Sequence, residues 1–482
     1  MEEIELLALG KQSVKSVFAV ISQTFIVQMI STGSLLIVLT VLSPADVGIF
    51  VAVTAMRRVI DFFTDFGFGA ALVQKKNDLK DGDLRTSFTI QSSSTFLIFL
   101  GTFLFRDQIA GFLKLNTQGE TLLLALVFSV FLSSFKTIPS ILLERKIQFQ
   151  KLAIPQIAES LVYNIVLVIL VLKGFRVDSY TYAFLAAGII GIPFYYYVSP
   201  WNIGFGIDKK ALKSLKFGLQ FQAKNILAVI KDDLLIVLLT RFLSFTEIGY
   251  IGFAQRISFL PYRYIVDSVT KVTFSSYSRI QDNIQILRKA VEKSLFFVSS
   301  AMFPIVMGIV LTIPYFIQYI PKWHNKWEPA IFSIIFFCLN AAVASLTGIL
   351  VNILDATGHV RKTLRLMIIW TIMTWILTPV LIFKFGYNGV APMSFIVVST
   401  IGYVVFLVKQ TVSFDFIKSV YKPILCTLLM GVCVYMYSNF FVKDMLSLAG
   451  AVVFGAVMYG GSFYFLAKKD LHDGYRLIFK KT

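Results

Sequence analysis

The sequence predicts an all-α membrane protein of about fourteen transmembrane helices, built as two six-helix lobes related by a parallel repeat, with a C-terminal helix pair. Three observations predict it. The 482 residues are 57% hydrophobic and only 15% charged, with a mean hydropathy of +0.76, too little polar surface to cover a water-soluble core. Apolar stretches of about 20 residues, the length that crosses a hydrocarbon layer roughly 30 Å thick, recur from Phe18 to Leu466 with only short polar breaks. A polar hairpin near the first helix is matched by a second one about 200 residues downstream.

Hydropathy and chain breakers place helices near 17–41, 47–73, 86–105, 120–141, 152–172, 179–200, 217–240, 247–278, 294–316, 329–354, 366–383, 387–408, 423–441 and 446–467. The first has no small-residue cleavage site after it and is expected to be retained. Roughly 28 Lys and Arg fall in the N-terminal segment, the even-numbered loops and the tail, against about 9 in the opposite loops. Both termini of this multi-pass protein are therefore expected on the cytoplasmic side of a plasma (inner) membrane. The same distribution accounts for the formal charge of +18: the basic residues are spread over many short loops rather than gathered on one module, so no nucleic acid partner is expected. Two basic stretches, Glu144 to Lys151 and Arg279 to Lys293, suit either a membrane-surface helix or a solvated linker.

The three cysteines, Cys338, Cys426 and Cys433, lie in apolar segments without metal-ligand spacing. His324, His359 and His472 stand far from any Cys or paired carboxylate. No metal, cofactor or catalytic triad is expected.

The repeat pairs Leu42-Ser43-Pro44-Ala45-Asp46-Val47-Gly48-Ile49 with Leu243-Ser244-Phe245-Thr246-Glu247-Ile248-Gly249-Tyr250. Upstream of these lie Leu35-Leu36-Ile37-Val38 and Leu234-Leu235-Ile236-Val237. Six helices return the chain to its starting side, so the two lobes share one orientation. The expected units are residues 1–205 with helices one to six, 206–410 with helices seven to twelve, and 411–482 with the last helix pair and tail. A cleft between the lobes is the expected substrate site.

Ionisable side chains at helix centres cost several kcal/mol and persist mainly beside a cavity or a partner. Eight bases are so placed: Arg57, Arg58, Lys136, Lys224, Lys231, Arg256, Arg263 and Lys271, and all but Lys136 lie on helices two, seven and eight. On helix two, Arg57, Asp61 and Asp65 share a stripe at four-residue spacing. On helix eight, Arg256, Arg263, Asp267 and Lys271 fall within an arc of roughly 80°. Helix seven adds Lys224 and Lys231 on one face, then Asp232 and Asp233. One reading has these charges pair among themselves and pin the lobes together. The other rests on the surplus of bases: helices seven and eight carry five bases against three acids, and Arg and Lys in a desolvated cleft suit phosphate or pyrophosphate. The pyrophosphate and sugar candidates are Arg57, Arg58, Lys224, Lys231, Arg256, Arg263 and Lys271. The acids Asp61, Asp65, Glu159, Asp232, Asp233 and Asp267 are candidates for charge balance or for coupling to a proton or sodium gradient, Glu159 being alone in helix five. Gln23, Gln28, Gln220 and Gln222 are candidates for sugar hydroxyls or, equally, for gluing helices together.

Several segments resemble a known family. Asp65-Phe66-Gly67-Phe68-Gly69-Ala70-Ala71-Leu72-Val73-Gln74 is similar to the close of helix two, and Pro139-Ser140-Ile141-Leu142-Leu143-Glu144-Arg145-Lys146 with Phe149 to the end of helix four, in the polysaccharide transport family of lipid-linked oligosaccharide flippases. That family belongs to the superfamily that also holds multidrug/toxin extruders and lipid II flippases. Gly249-Tyr250, Ala254, Arg256, Leu260-Pro261, Phe274-Ser275-Ser276-Tyr277-Ser278-Arg279-Ile280-Gln281, Lys322-Trp323, Trp327, Ala330 and Gly386 with Gly389-Val390-Ala391 continue the match in order. The sequence departs from the family at a longer Trp323 to Ala330 segment.

The resemblance implies a carrier that moves an oligosaccharide repeat unit on a polyprenyl pyrophosphate from the inner to the outer leaflet by alternating access, serving O-antigen or exopolysaccharide export. Membrane lipid is an implied partner, and so are polysaccharide polymerases and glycosyltransferases. An ion-coupled multidrug extruder would favour a carboxylate-dominated cleft. A membrane glycan-processing enzyme would favour an acid, base or metal cluster at a membrane face.

Overall fold

The computed structural model describes the backbone of residues 2–64, 72–73, 79–208 and 226–479, and side chains within 22–61, 72–73, 79–208 and 226–468. Every described secondary-structure element is helical. The helices are α1 Glu2–Val41, α2 Pro44–Thr64, α3 Asp81–Leu104, α4 Arg106–Leu113, α5 Thr117–Arg145, α6 Phe149–Leu172 and α7 Asp178–Val198. A π-helical turn, Ile230–Leu234, leads into α8 Leu235–Leu239. Then come α9 Phe245–Ser258, α10 Leu260–Ile280, α11 Ile284–Tyr319, α12 Ile331–Ala356, α13 Val360–Phe385, α14 Val390–Val398, α15 Ile401–Lys409, α16 Phe416–Phe441 and α17 Met445–Phe479.

Ten helical segments among the described residues are long and apolar enough to cross a membrane. One of them, Val360–Lys409, is 50 residues long and contains α13 to α15; at about 1.5 Å per residue it exceeds two hydrocarbon thicknesses. The charge-bearing α2 and α10 are not in this set, and the first part of the stretch predicted as helix seven, 217–225, lies outside the described residues. Only 17% of the apolar window in Met445–Lys468 is buried, and outward side chains such as Phe383, Leu446 and Phe465 are more than four-fifths exposed. Only lipid makes so much exposed apolar surface stable. Within the helices, hydroxyls satisfy themselves on the preceding turn: Ser92 donates to the Phe88 carbonyl (2.7 Å), Ser299 to Leu295 (2.7 Å) and Thr378 to Thr374 (2.6 Å).

The chain divides into two compact units, Met1–Gly249 and Tyr250–Thr482. In the first, α6 packs against α1 and α7, and α5 against α2, α3 and α7. In the second, α11 and α12 pack on each other, α10 packs on both, α14 joins α12, and α16 and α17 join α11.

Several helix boundaries differ from the sequence reading. Helix eight, predicted unbroken over 247–278, is interrupted at Phe259 (φ −91°, ψ 2°), because Pro261 has no N–H to give the preceding turn. The Glu144 to Lys151 stretch holds a tight turn between α5 and α6, with Ile147 at φ 55°, and Arg279 to Lys293 holds the end of α10, a break at 281–283 and the first ten residues of α11; neither is a separate surface helix. The long Trp323 to Ala330 segment folds inward. Trp327 is fully buried and stacks on Phe253 (4.3 Å between centroids), with Trp323 edge-on to the same ring (5.5 Å).

The start of α16 is capped by Asp415, whose carboxylate accepts from the Lys418 N–H (3.1 Å), while its own N–H donates to Glu292 of α11 (3.0 Å). That backbone donor, aided by the Lys418 ammonium, holds the Asp415 carboxyl below its ordinary value. A carboxyl depressed in the fold stabilises it fully above the ordinary carboxylate range, and the contribution is lost as pH falls through the depressed value. Asp415→Ala should therefore speed hydrogen exchange of the Lys418 amide at neutral pH. In the unsubstituted protein this cap should loosen only on strong acidification.

Candidate functional site

The repeated hairpins form the same local structure. Ser43 donates from its N–H (3.2 Å) and its hydroxyl (2.6 Å) to Asp46, whose N–H donates back to the Ser43 hydroxyl (3.2 Å). Ser244 does the same with Glu247 at 2.7, 2.8 and 3.3 Å. These are two capping boxes, each opening a helix, α2 and α9. Within the first unit the two helix starts cross at their glycines. A Cβ on Gly48 would collide with the Phe245 carbonyl, and one on Gly249 with the Pro44 carbonyl. Backbones can approach this closely only where both residues lack side chains.

Other contacts secure the crossing. Asp46, nearly fully buried, binds Arg176 (3.0 Å). Lys114, in αL conformation after α4, donates to the Arg241 carbonyl (2.9 Å), and the Arg241 guanidinium lies over the Phe112 ring (5.1 Å). Ala55 of α2, Leu113 of α4 and Val237 of α8 form one buried cluster. Helix eight's first residues and helix seven's last are thus docked on the first repeat.

The crossing orients the charged stretch of α2. Arg57 Nε lies 3.5 Å from Asp61 and the guanidinium sits 5.8 Å from the centroid of the Phe184 ring of α7. Arg57 Nε is buried and makes no hydrogen bond among the described residues. Arg58 reaches across to Asp233 in the π-turn, where the irregular winding turns Asp233 inward; Lys231 binds Asp232 (2.6 Å). Six candidates, Arg58 and Asp233, Lys231 and Asp232, and Arg57 with Asp61 as neighbour, therefore come together with α2 in the first unit. Arg57 and Asp61 remain 28% and 38% exposed and Arg58 51%, so the group faces an open surface rather than dry protein. A charged surface at mid-helix faces water, because lipid would penalise it heavily.

In the second unit, Arg256 is half-buried on α9, before the break at Phe259, and does not continue the stripe that follows. Arg263, Asp267 and Lys271 lie four residues apart on α10, all exposed, with Ser268 and Ser275 exposed beside them. Arg256 and Arg263 each hold an interaction with a neighbour. Asp65, Lys224, Gln220 and Gln222 lie outside the described residues; Gln23 and Gln28 are half-buried on α1.

Sequence reasoning left Glu159 without a partner. The structure pairs it with Lys136 across α5 and α6, both side chains largely buried. Four-residue and seven-residue spacings reveal pairs on one helix, but no sequence signal links two helices. Among the described residues, no group of three or more His, Cys, Asp or Glu is placed to hold a metal ion.

Comparison with known proteins places this architecture. The chain is 22% identical over 405 residues to a membrane protein of the cps region of Klebsiella pneumoniae, covering 80% of this chain and 81% of that one. It is 22% identical over 419 residues to the teichuronic acid biosynthesis protein TuaB of Bacillus subtilis (strain 168), covering 82% and 83%. With the lipopolysaccharide biosynthesis protein WzxC of Escherichia coli (strain K12) it shares 22% over 325 residues, covering 65% and 63%. Among solved structures, the fold matches the lipid II flippase MurJ in an inward closed conformation, with a TM-score of 0.75 at 17% identity over 94% of this chain and 99% of that one. It also matches an inward-facing multidrug resistance MATE family transporter, with a TM-score of 0.58 at 16% identity over 82% and 98%. The family model described as polysaccharide biosynthesis protein matches residues 37–332, well over half the chain, and this multi-pass membrane protein belongs to that family.

Proposed function

We propose that the protein is a flippase, a transporter rather than an enzyme, that moves polyprenyl-pyrophosphate-linked oligosaccharide repeat units from the inner to the outer leaflet of the plasma membrane. The observation that carries this reading is the basic face of α2: Arg57 has a buried Nε without a hydrogen bond, set beside the partly exposed Arg58. A guanidinium whose Nε–H is not taken by a hydrogen bond, 3.5 Å from a single carboxylate, suits a pyrophosphate, which accepts forked hydrogen bonds that a cationic drug cannot. The exposed Arg263 and Lys271 of α10 supply a second cationic face. Alternating access would expose these faces first to the cytoplasm, the side on which the distribution of basic loops leads us to propose both termini, and then to the outside. Membership in a polysaccharide biosynthesis family, and relatives named for teichuronic acid and lipopolysaccharide biosynthesis, support a glycan cargo over a drug. Polymerases and glycosyltransferases of the same pathway are the partners this reading implies.

The test is leaflet exchange of a labelled polyprenyl-pyrophosphate oligosaccharide in vesicles holding the full chain. Wild-type protein should exchange it. Arg57→Ala and Arg263→Ala, folded and inserted, should each lose more than about tenfold in rate, as expected when a charged hydrogen-bond partner of a desolvated anion is removed. Full exchange by a folded double variant, or exchange of cationic dyes in place of the glycolipid, would sink the reading.

A further inference from the structure

We propose that Lys114 and Arg241 form a clasp for the phosphate of a lipid headgroup at one surface of the membrane, between the end of α4 and the turn that follows α8. The clasp uses none of the residues assigned to the cargo and depends on neither the cargo nor the direction of transport.

The level of the site follows from its neighbours in the chain. α3 and α5 flank α4, and each is long and apolar enough to cross a membrane, so the stretch from Phe105 to Asn116 turns at a membrane surface. In the orientation proposed from the basic loops this is the outer surface. Phe105 and Phe112 on this stretch, and Phe242 on the turn after α8, are all exposed. Apolar rings at that level sit between the headgroups and the first acyl carbons of the bilayer.

Two exposed cations stand among these rings. Lys114 donates from Nζ to the Arg241 carbonyl (2.9 Å), and Arg241 donates back from Nη1 to the Phe112 carbonyl (3.4 Å), its guanidinium 5.1 Å from the centroid of the Phe112 ring. Each cation is held against the other's stretch of backbone, which brings the two charges together without a carboxylate. The acids at this end of the first unit are engaged elsewhere: Asp107 and Glu120 with Arg106, Asp46 with Arg176, Asp178 with Gln118 and Glu247 with Ser244. Among the described residues, none of them pairs with Lys114 or Arg241. A single carbonyl leaves an ammonium or a guanidinium most of its N–H donors and all of its charge.

The backbone at Lys114 adds an independent observation. Lys114 closes α4 at φ 56° and ψ 31°, a left-handed cap that glycine adopts freely and that any side chain strains. Its ammonium is engaged with the turn after α8 rather than with the last carbonyls of α4, so the charge does not serve that helix end. Strained non-glycine residues gather at ligand clamps, where the side chain is what matters.

A phosphate suits the pair because its oxygens accept from an ammonium and a guanidinium at once. The exposed rings seat the first carbons of a lipid, which a free phosphate ion lacks. A lipid phosphate bridging the two cations ties α4 to the turn that leads into the second hairpin, so binding should stabilise the crossing at Gly48 and Gly249.

The test is native mass spectrometry with thermal unfolding of the delipidated full chain in detergent, using phosphatidylglycerol, sugar-free polyprenyl pyrophosphate, diacylglycerol and inorganic phosphate as probes. Wild type should retain a phosphate-bearing lipid and unfold at a higher temperature with it. Lys114→Gly relieves the left-handed strain and so keeps the fold, yet should weaken lipid binding about tenfold, as loss of one charge-assisted hydrogen bond predicts. Lys114→Gly/Arg241→Gln should abolish the thermal shift, whereas Lys114→Arg keeps the charge and should keep the binding. Unchanged binding by the folded double variant would overturn the proposal. So would equal retention of diacylglycerol, which has no phosphate, or a response to inorganic phosphate without one to lipid. Preference for phosphatidylglycerol would identify bulk lipid as the ligand, and preference for polyprenyl pyrophosphate a carrier lipid; either result supports the clasp.

Discussion

Lys136→Met should lower the unfolding free energy of the protein by about 3–5 kcal/mol, the loss expected when one member of a buried ion pair is removed and the other charge is stranded. Glu159 is held between α5, α6 and α7, and its carboxylate occupies the notch at Gly191, so it has little room to turn toward water. The double variant Lys136→Met/Glu159→Gln leaves no stranded charge and should recover most of that loss, because a well-packed neutral pair often matches an ionic one. Thermal unfolding in detergent of the two single variants and the double one makes a double-mutant cycle whose interaction energy should be large and favourable. Additive losses would show that the two side chains are not coupled.

The second large effect is expected at the crossing of the repeats. Gly48→Ala and Gly249→Ala should each destabilise the protein by about 1–3 kcal/mol or more, since the added methyl meets backbone, which cannot turn aside as a side chain can. Both changes act on one contact, so the double variant should lose much less than the sum of the singles. Capping should be unaffected, because Ser43 with Asp46 and Ser244 with Glu247 do not use the glycine positions. Unfolding midpoints report the effect, and two singles matching wild type would show that the approach is not maintained in the membrane.

The paired hairpins show how far sequence reaches. Ser-x-x-Asp and Ser-x-x-Glu ahead of apolar runs are local signals, and both fold as the pattern implies, because a capping box is decided within four residues. That the two glycines meet required two segments about 200 residues apart to come together, and nothing in either segment names the other. The predicted stripe on helix eight failed for a local reason: a single interruption before Pro261 separates Arg256 from Arg263, Asp267 and Lys271. The assignment of charges to helices two, seven and eight was readable because ionisable residues are rare in apolar stretches. Their partners were not, and Arg58 with Asp233 joins residues that no spacing rule connects.

What the sequence by itself determined is the solvent and the class: apolar segments of membrane-spanning length leave helices as the only stable backbone, since each must satisfy its own hydrogen bonds in lipid. Its motif order also marked the family. Only the tertiary structure decided which charges neutralise one another, where a carboxylate enters a glycine notch, and how closely two helices approach. Those outcomes depend on a few ångströms of packing between distant segments, and a linear pattern carries no measure of such distances.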